Sequence, residues 1–198
     1  MRTSRKVAVI VGLSVAFFAS LSSPGRALAD EVLRAKLRGF SEVPAISTAA
    51  KGEFRGKISE DETAIDYEES YEGLEGTVTQ SHIHFGQRGV SAGITVWLCQ
   101  TATNPAPASV AAITPFCPTS PGTVSGTVTA ANVIGPVGQG ISATEFAELL
   151  RAIRAGITYA NVHSRDAGGV ATNFNAGEIR GQIKAFRHHD RDHDRDED

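Results

Sequence analysis

The sequence lacks the short motifs that identify several large enzyme classes. It contains no H-E-x-x-H pattern, no P-loop and no G-x-G-x-x-G turn, so zinc peptidases and nucleotide-binding enzymes have no support. Motif evidence assembles no set of serine, histidine and acid. Glu68 and Glu69 alternate to opposite faces of a strand-like run, which suits a solvated strand better than a glycosidase pair. We therefore assign no catalytic residue and favour a non-enzymatic protein.

Cysteine is also scarce, with two residues and no C-x-x-C redox pair. Cys99 and Cys117 flank a segment rich in proline, alanine and threonine that has no helix or strand period. We predict a disulfide bond that closes this loop. In the loop-entropy description such a bond contributes about 3 kcal/mol of stability.

The N-terminus has the three parts of a secretory signal peptide, predicted over residues 1–29. A basic start precedes the apolar run "VAVIVGLSVAFFASL", and "ALA" supplies small residues before Asp30. An uncleaved anchor is the alternative. Export predicts a periplasmic or extracellular protein with no membrane span in the mature chain. Removing the segment takes away four basic residues and no acidic one from a chain of net charge −3, so a nucleic-acid partner is disfavoured.

Most of the remaining chain reads as short strands punctuated by glycine. Residues 32–39 and 63–71 alternate apolar with charged side chains, which is typical of strands with one buried face. Residues 142–156 form one amphipathic helix that opens with Ser142 and Glu145 as a capping box. The predicted fold is a mainly-β, immunoglobulin-like antiparallel sandwich or barrel, with one short helix packed on it.

The domain is predicted to span residues 30–186, and the tail that follows is different in kind. Residues 187–198, "RHHDRDHDRDED", have no apolar side chain and alternate in charge, which predicts a disordered tail. Its three histidines and six acids offer loose binding of a divalent metal as the alternative role.

One phrase occurs twice, as "GEFRGKI" (52–58) and "GEIRGQI" (177–183). In strand geometry Glu53 and Arg55 share one face, and so do Glu178 and Arg180. We predict a structural polar cluster of Glu53, Arg55, Asn161, Glu178 and Arg180. As a pairing hypothesis, the two repeated strands lie side by side with glutamate and arginine cross-paired.

Histidine supplies the strongest chemical candidates. In "SHIHFG" (81–86), His82 and His84 point to one face of a strand, and in "ITYANVHS" (157–164) His163 shares a face with Asn161. If the two strands are neighbours, the three histidines form a nitrogen set suited to copper or zinc with one position open. The alternative is a hydrogen-bonded cluster of the histidines with Asn161, Glu178 or Arg180.

Taken in order, "LRAKLRGFSEVPA", "KGEFRGKIS", "HIHFG", "YANVHS" and "GEIRGQI" resemble the chordin-like (CHRD) domain over about residues 31–186. The resemblance implies an extracytoplasmic, immunoglobulin-like β-sandwich and no known reaction. "HIHFG" and "NVHS" are also similar to two pieces of the copper/zinc superoxide dismutases, but the bridging histidine, the zinc ligands and the arginine-bearing loop of that family are missing.

Two functions follow. The first is an exported binding or structural module without established catalytic activity, whose partner is a protein or a polysaccharide. The alternative is a copper- or zinc-binding extracytoplasmic protein that uses His82, His84 and His163.

Overall fold

The chain folds mainly as antiparallel strands. The computed structural model describes residues 31–165 and 173–187, so the predicted signal peptide (1–29) and residues 188–198 of the tail lie outside the described residues. One α-helix, α1 (Phe146–Arg154), precedes β7. The strands of the described chain are β1 (Glu31–Arg38), β2 (Lys51–Ile58), β3 (Ala64–Glu72), β4 (Thr77–Phe85), β5 (Ile94–Cys99), β6 (Gly122–Thr129), β7 (Thr158–Arg165), β8 (Asn173–Gln182) and β9 (Lys184–Arg187).

The strands form because apolar residues alternate with polar ones. On β1, Leu33, Ala35 and Leu37 are buried, while the residues between them are exposed. The inward residues of the other strands join them in one hydrophobic core. The alternation of apolar and polar residues in the sequence therefore matches the alternation of buried and exposed side chains in the structure.

All nine strands of the described chain belong to one sheet. Their order is β5-β4-β7-β8-β1-β2-β3-β6, and β9 continues beyond β8 along the same side of β1. The end strands β5 and β6 approach each other. The Tyr67 hydroxyl on β3, the neighbour of β6, donates a 2.6 Å hydrogen bond to the Leu98 carbonyl on β5. The sheet is thus nearly closed into a barrel. The predicted mainly-β sandwich or barrel with a single short helix is confirmed in its barrel form.

The predicted pairing of the two repeated phrases is wrong. They lie on β2 and β8, and β1 separates these strands in the sheet. Glu53 accepts a 2.8 Å hydrogen bond from Arg55 on its own strand. The repeat reflects two strands with the same inward pattern, one on each side of β1.

The predicted helix forms, and its apolar side faces the core as expected. It begins later than predicted, at Phe146 instead of close to Ser142. Phe146, Leu149, Leu150 and Ile153 are buried and join the core. The helix begins at Phe146 because Thr144 has a positive φ of 69°, which α-helical backbone does not adopt. Half of the predicted capping box forms: the Ser142 amide donates to Glu145 Oε2 at 2.6 Å.

Cys99 and Cys117 lie at disulfide distance, with their sulfur atoms 1.96 Å apart. The bond joins the end of β5 to the segment before β6 and so ties the two end strands of the sheet together. Within residues 31–165 and 173–187, no helix is long and apolar enough to cross a bilayer.

Candidate metal centre

The three predicted histidines meet on the outward face of two neighbouring strands. β4 and β7 pair antiparallel, with His82 opposite Asn161 and Gln80 opposite His163. Because side chains alternate along a strand, His82, His84, Asn161 and His163 share the face that turns away from the barrel core. Ile83, Ala160 and Val162 fill the core on the other face. A shared site required the strands that carry the three histidines to be neighbours, and β4 and β7 are neighbours in the sheet.

The imidazole rings are close enough to share one ion. His82 Nδ1 lies 3.2 Å from His163 Nε2. One nitrogen from each of the three histidines can be chosen so that all lie within 4.8 Å of one another. Zinc binds imidazole nitrogen at about 2.0–2.1 Å, so two nitrogens of a tetrahedral site are about 3.3 Å apart. The separation of His82 and His163 matches that spacing, and it is also compatible with an N–H···N hydrogen bond.

Loops bury this outward face, which is why nearly all of β7 is inaccessible. The connection after β4 places the Ala92 carbonyl 2.8 Å from His84 Nδ1. A carbonyl can only accept, so Nδ1 carries the proton, and the lone pair of the neutral ring is on Nε2. Nε2 of His84 is buried and receives no hydrogen bond from the described residues. A backbone carbonyl that fixes the tautomer in this way is a common support for a metal-binding histidine.

Burial keeps His82 and His84 uncharged. Desolvation lowers the pKa of His82 well below its usual value, and the neighbouring His163 and His84 lower it further. Desolvation also lowers the pKa of His84, partly offset by the bond to Ala92. Neutral rings have free lone pairs at neutral pH, so a metal ion would displace few protons on binding.

A polar network supports the cluster from the β8 side. Asn161 Nδ2 donates to Glu42 Oε1 at 3.2 Å and to the Ala176 carbonyl at 3.1 Å. Glu42 Oε2 lies 3.7 Å from Arg180 Nε. These bonds hold Asn161 opposite His82. Burial raises the pKa of Glu42 to about 7, while Asn161 and Arg180 act in the opposite direction.

Aromatic rings fill the remaining space around the histidines. Trp97 on β5 meets the His82 ring edge-on, with ring centres 4.3 Å apart. Tyr159 stacks on His84 at 4.7 Å, and the Arg180 guanidinium lies 4.3 Å from the centre of the Tyr159 ring. The rings of His82 and His84 are therefore held in place by packing, which favours a preformed site.

The predicted structural polar cluster divides into separate groups. Asn161 and Arg180 do lie beside the histidines. Glu178 is buried elsewhere, where it accepts hydrogen bonds from Thr48, Ser164 and the Glu75 amide. Glu53 and Arg55 belong to the outward face of β2, with no part in either group.

Three groups around the histidines were not predicted from the sequence: Glu42, Trp97 and the Ala92 carbonyl. Glu42 and Ala92 lie on connections between strands, which have no periodicity to read. Trp97 stands opposite His82 on β5, and no local signal announces that pairing. Glu69 was expected in solvent and is fully buried in the barrel, because it shares the inward face of β3 with Tyr67 and Tyr71.

Residues 89–93 spell G-V-S-A-G and match the letters of a nucleophile elbow. That motif requires a sharp turn from a strand into a helix. Here the segment joins the antiparallel strands β4 and β5, and Ser91 Oγ donates to the Val43 carbonyl at 3.2 Å. The serine is not placed for nucleophilic catalysis.

Comparison with known families gives a match that spans most of the described barrel. The CHRD domain family matches residues 33–183, from β1 to the end of β8. The chain belongs to the CHRD family. CHRD domains occur in extracellular proteins, and the bonded cysteine pair fits an oxidising compartment. Comparison with curated proteins gives no match. Membership in the CHRD family supports a structural or binding module.

Proposed function

We propose that this CHRD protein is an exported module that binds one copper or zinc ion through His82, His84 and His163. The observation that carries the proposal is the mutual approach of three buried imidazole nitrogens within 4.8 Å. Each ring comes from a paired strand, so the donors are placed by the barrel itself. An all-imidazole set suits copper and zinc better than calcium or magnesium.

The test is titration of the metal-free protein with copper and with zinc, prepared untagged with and without residues 188–198. We expect one ion per chain in both forms, because the cluster lies within the barrel. The double variant His82→Ala, His84→Ala should lose this ion. Trp97→Phe is the matched control, since it changes a half-buried ring beside His82 and removes no nitrogen donor from the set.

Thermal unfolding supplies an independent measurement. An ion that binds only the folded protein raises the melting temperature of the parent and of Trp97→Phe. It should leave the double variant unchanged. Unaltered stoichiometry in the double variant, or no binding by the parent, would leave the histidines as a hydrogen-bonded cluster.

A second function is a module that binds a protein or polysaccharide partner. The observation that favours it is a cavity lined by exposed cationic side chains on the outer surface of β1, β8 and β9. This function is compatible with a metal ion at the histidines, because the two sites use different side chains.

A further inference from the structure

The outward face of β1 carries a row of positive charge. Arg34, Lys36 and Arg38 are exposed there and alternate with the buried residues of the core face. β1 lies between β8/β9 and β2, so this row runs along the middle of a wide outer surface. The whole chain has a net charge of −3, so this row of positive charge is a local feature of the surface.

Strand register places like charges directly opposite each other on this surface. Arg34 stands opposite Arg55 on β2 and opposite Lys184 on β9. Like charges in such cross-strand positions are destabilising. Arg55 has Glu53 as a partner, whereas Arg34 and Lys184 form no ion pair with the described residues. Glu53 stands opposite Lys36 and also attracts Arg34 and Arg55, so one acid is shared among three cations. An anionic ligand would compensate the remaining positive charge.

A cavity of about 550 Å³ opens on the same surface. We call it the cationic groove; its cationic lining residues are Arg34, Lys36, Arg88, Arg180 and Lys184. Two acids also line it, but Glu42 is buried beside Arg180 and Glu53 is paired with Arg55. The volume is within the range of small-ligand sites, about 300–1,000 Å³.

Two exposed aromatic rings belong to the groove. Phe40 is 77% exposed and Phe186 is 48% exposed, although large apolar side chains are usually covered. An aromatic ring offers a flat apolar surface on which the C–H face of a sugar ring can pack. Guanidinium and ammonium groups bind carboxylates by charge-assisted hydrogen bonds.

We propose that the cationic groove binds an acidic oligosaccharide, whose carboxylates contact Arg34, Lys184 and Arg88 while its sugar rings pack on Phe40 and Phe186. A peptide adding a strand is disfavoured because β1 is paired on both sides and offers no free edge. The proposal rests on the second function above, names its ligand class, and does not depend on the metal ion.

The test is calorimetric titration of the full chain with hexagalacturonate and with its fully methyl-esterified form. The two probes share one sugar backbone and differ in charge, so we expect binding of the acid and none of the ester. Arg34→Gln and Lys184→Gln should each weaken binding about tenfold, as expected for the loss of one charge-assisted contact. Phe40→Ala should weaken it without changing its salt dependence.

Arg151→Gln is the matched control, because Arg151 is exposed on α1 outside the groove and its loss changes the net charge equally. It should bind within about twofold of the parent, since charges far from the groove are screened. Equal weakening by Arg151→Gln, equal binding of acid and ester, or no binding of the acid would overturn the proposal. Binding of a neutral glycan or of a protein instead would overturn it while leaving the second function in place.

Discussion

Glu69 carries its carboxyl group into the interior of the barrel. It receives a hydrogen bond from Ser81 on β4, and its other oxygen is buried with no donor among the described residues. Burial raises the pKa of Glu69 to about 8, and the bond from Ser81 offsets part of this rise. The folded protein therefore holds the proton at a pH where the unfolded chain has released it.

This shift makes stability depend on pH. The unfolded carboxyl ionises near its usual value of 4.5, and the folded one near 8. The unfolded state binds fewer protons between these values, so the contribution of Glu69 to stability falls as pH rises from about 4.5 to about 8. We predict that Glu69→Gln removes this fall and is a few kcal/mol more stable than the parent at pH 8, measured by denaturant unfolding across that range.

Glu68→Gln is the control for this experiment, because Glu68 is exposed on the opposite face of β3. It should keep the pH dependence of the parent. A difference in stability between Glu69→Gln and the parent that stays constant from pH 5 to pH 8 would contradict the assignment of a proton to Glu69, because Glu42, His82 and His84 contribute equally to both proteins.

The histidine cluster shows what can be predicted at the scale of residues. A spacing of two on a strand places His82 and His84 on one face whatever the fold, so this part of the site was readable. Placing His163 beside them required only that β4 and β7 be neighbours. The carbonyl of Ala92 and the carboxylate of Glu42 were not readable, since connections place them and nothing in their local sequence sets that geometry.

At the scale of elements, α1 is fixed to the sheet by charge as well as by its apolar face. Arg154 in its last turn donates to Glu31 on β1 at 2.7 Å and to Glu62 in the β2–β3 turn at 2.6 Å. Glu31 is buried, so its carboxylate relies on arginine for its hydrogen bonds. One side chain thus connects the helix with two parts of the barrel.

We predict that Arg154→Ala lowers the free energy of unfolding by about 1–3 kcal/mol, because it leaves Glu31 with only the more distant Arg187. Arg151→Ala on the same helix removes an exposed bond to Glu148 and should cost about 0.5 kcal/mol or less. Chemical unfolding of the two variants provides the comparison. Equal losses would show that the helix is held by its apolar face alone.

The strands themselves were predictable, but their order was not. Alternation on β1 and β3 is a local property, and both strands form where the pattern placed them. Which strands pair depends on contacts between distant parts of the chain, such as β1 with β2 on one side and β8 on the other. The repeated phrase suggested that β2 and β8 are neighbours, and this was wrong. Two strands with the same side-chain pattern favour the same kind of environment, but the pattern does not make them adjacent.

At the scale of the whole molecule, the predicted end of the domain after residue 186 can be tested by truncation. β9 includes Arg187, whose Nε lies 3.6 Å from Glu31 Oε2. We predict that a chain ending at Arg187 unfolds cooperatively at the temperature of the parent. A chain ending at Ile183 lacks β9 and its pairing with β1, and should melt well below it. Calorimetry of the two truncated chains provides the test. Loss of the cooperative transition in the chain that ends at Arg187 would place part of the fold beyond residue 187.

The near closure of the barrel has a consequence for how copies of the protein behave together. Open sheets end in strands whose unpaired amide and carbonyl groups can recruit another chain, and this is a common route to aggregation. Here β5 and β6 turn toward each other, the Ile134 amide donates to the Thr95 carbonyl, and the disulfide closes the same seam. The seam between β5 and β6 is thereby shielded from strand addition by other copies of the chain.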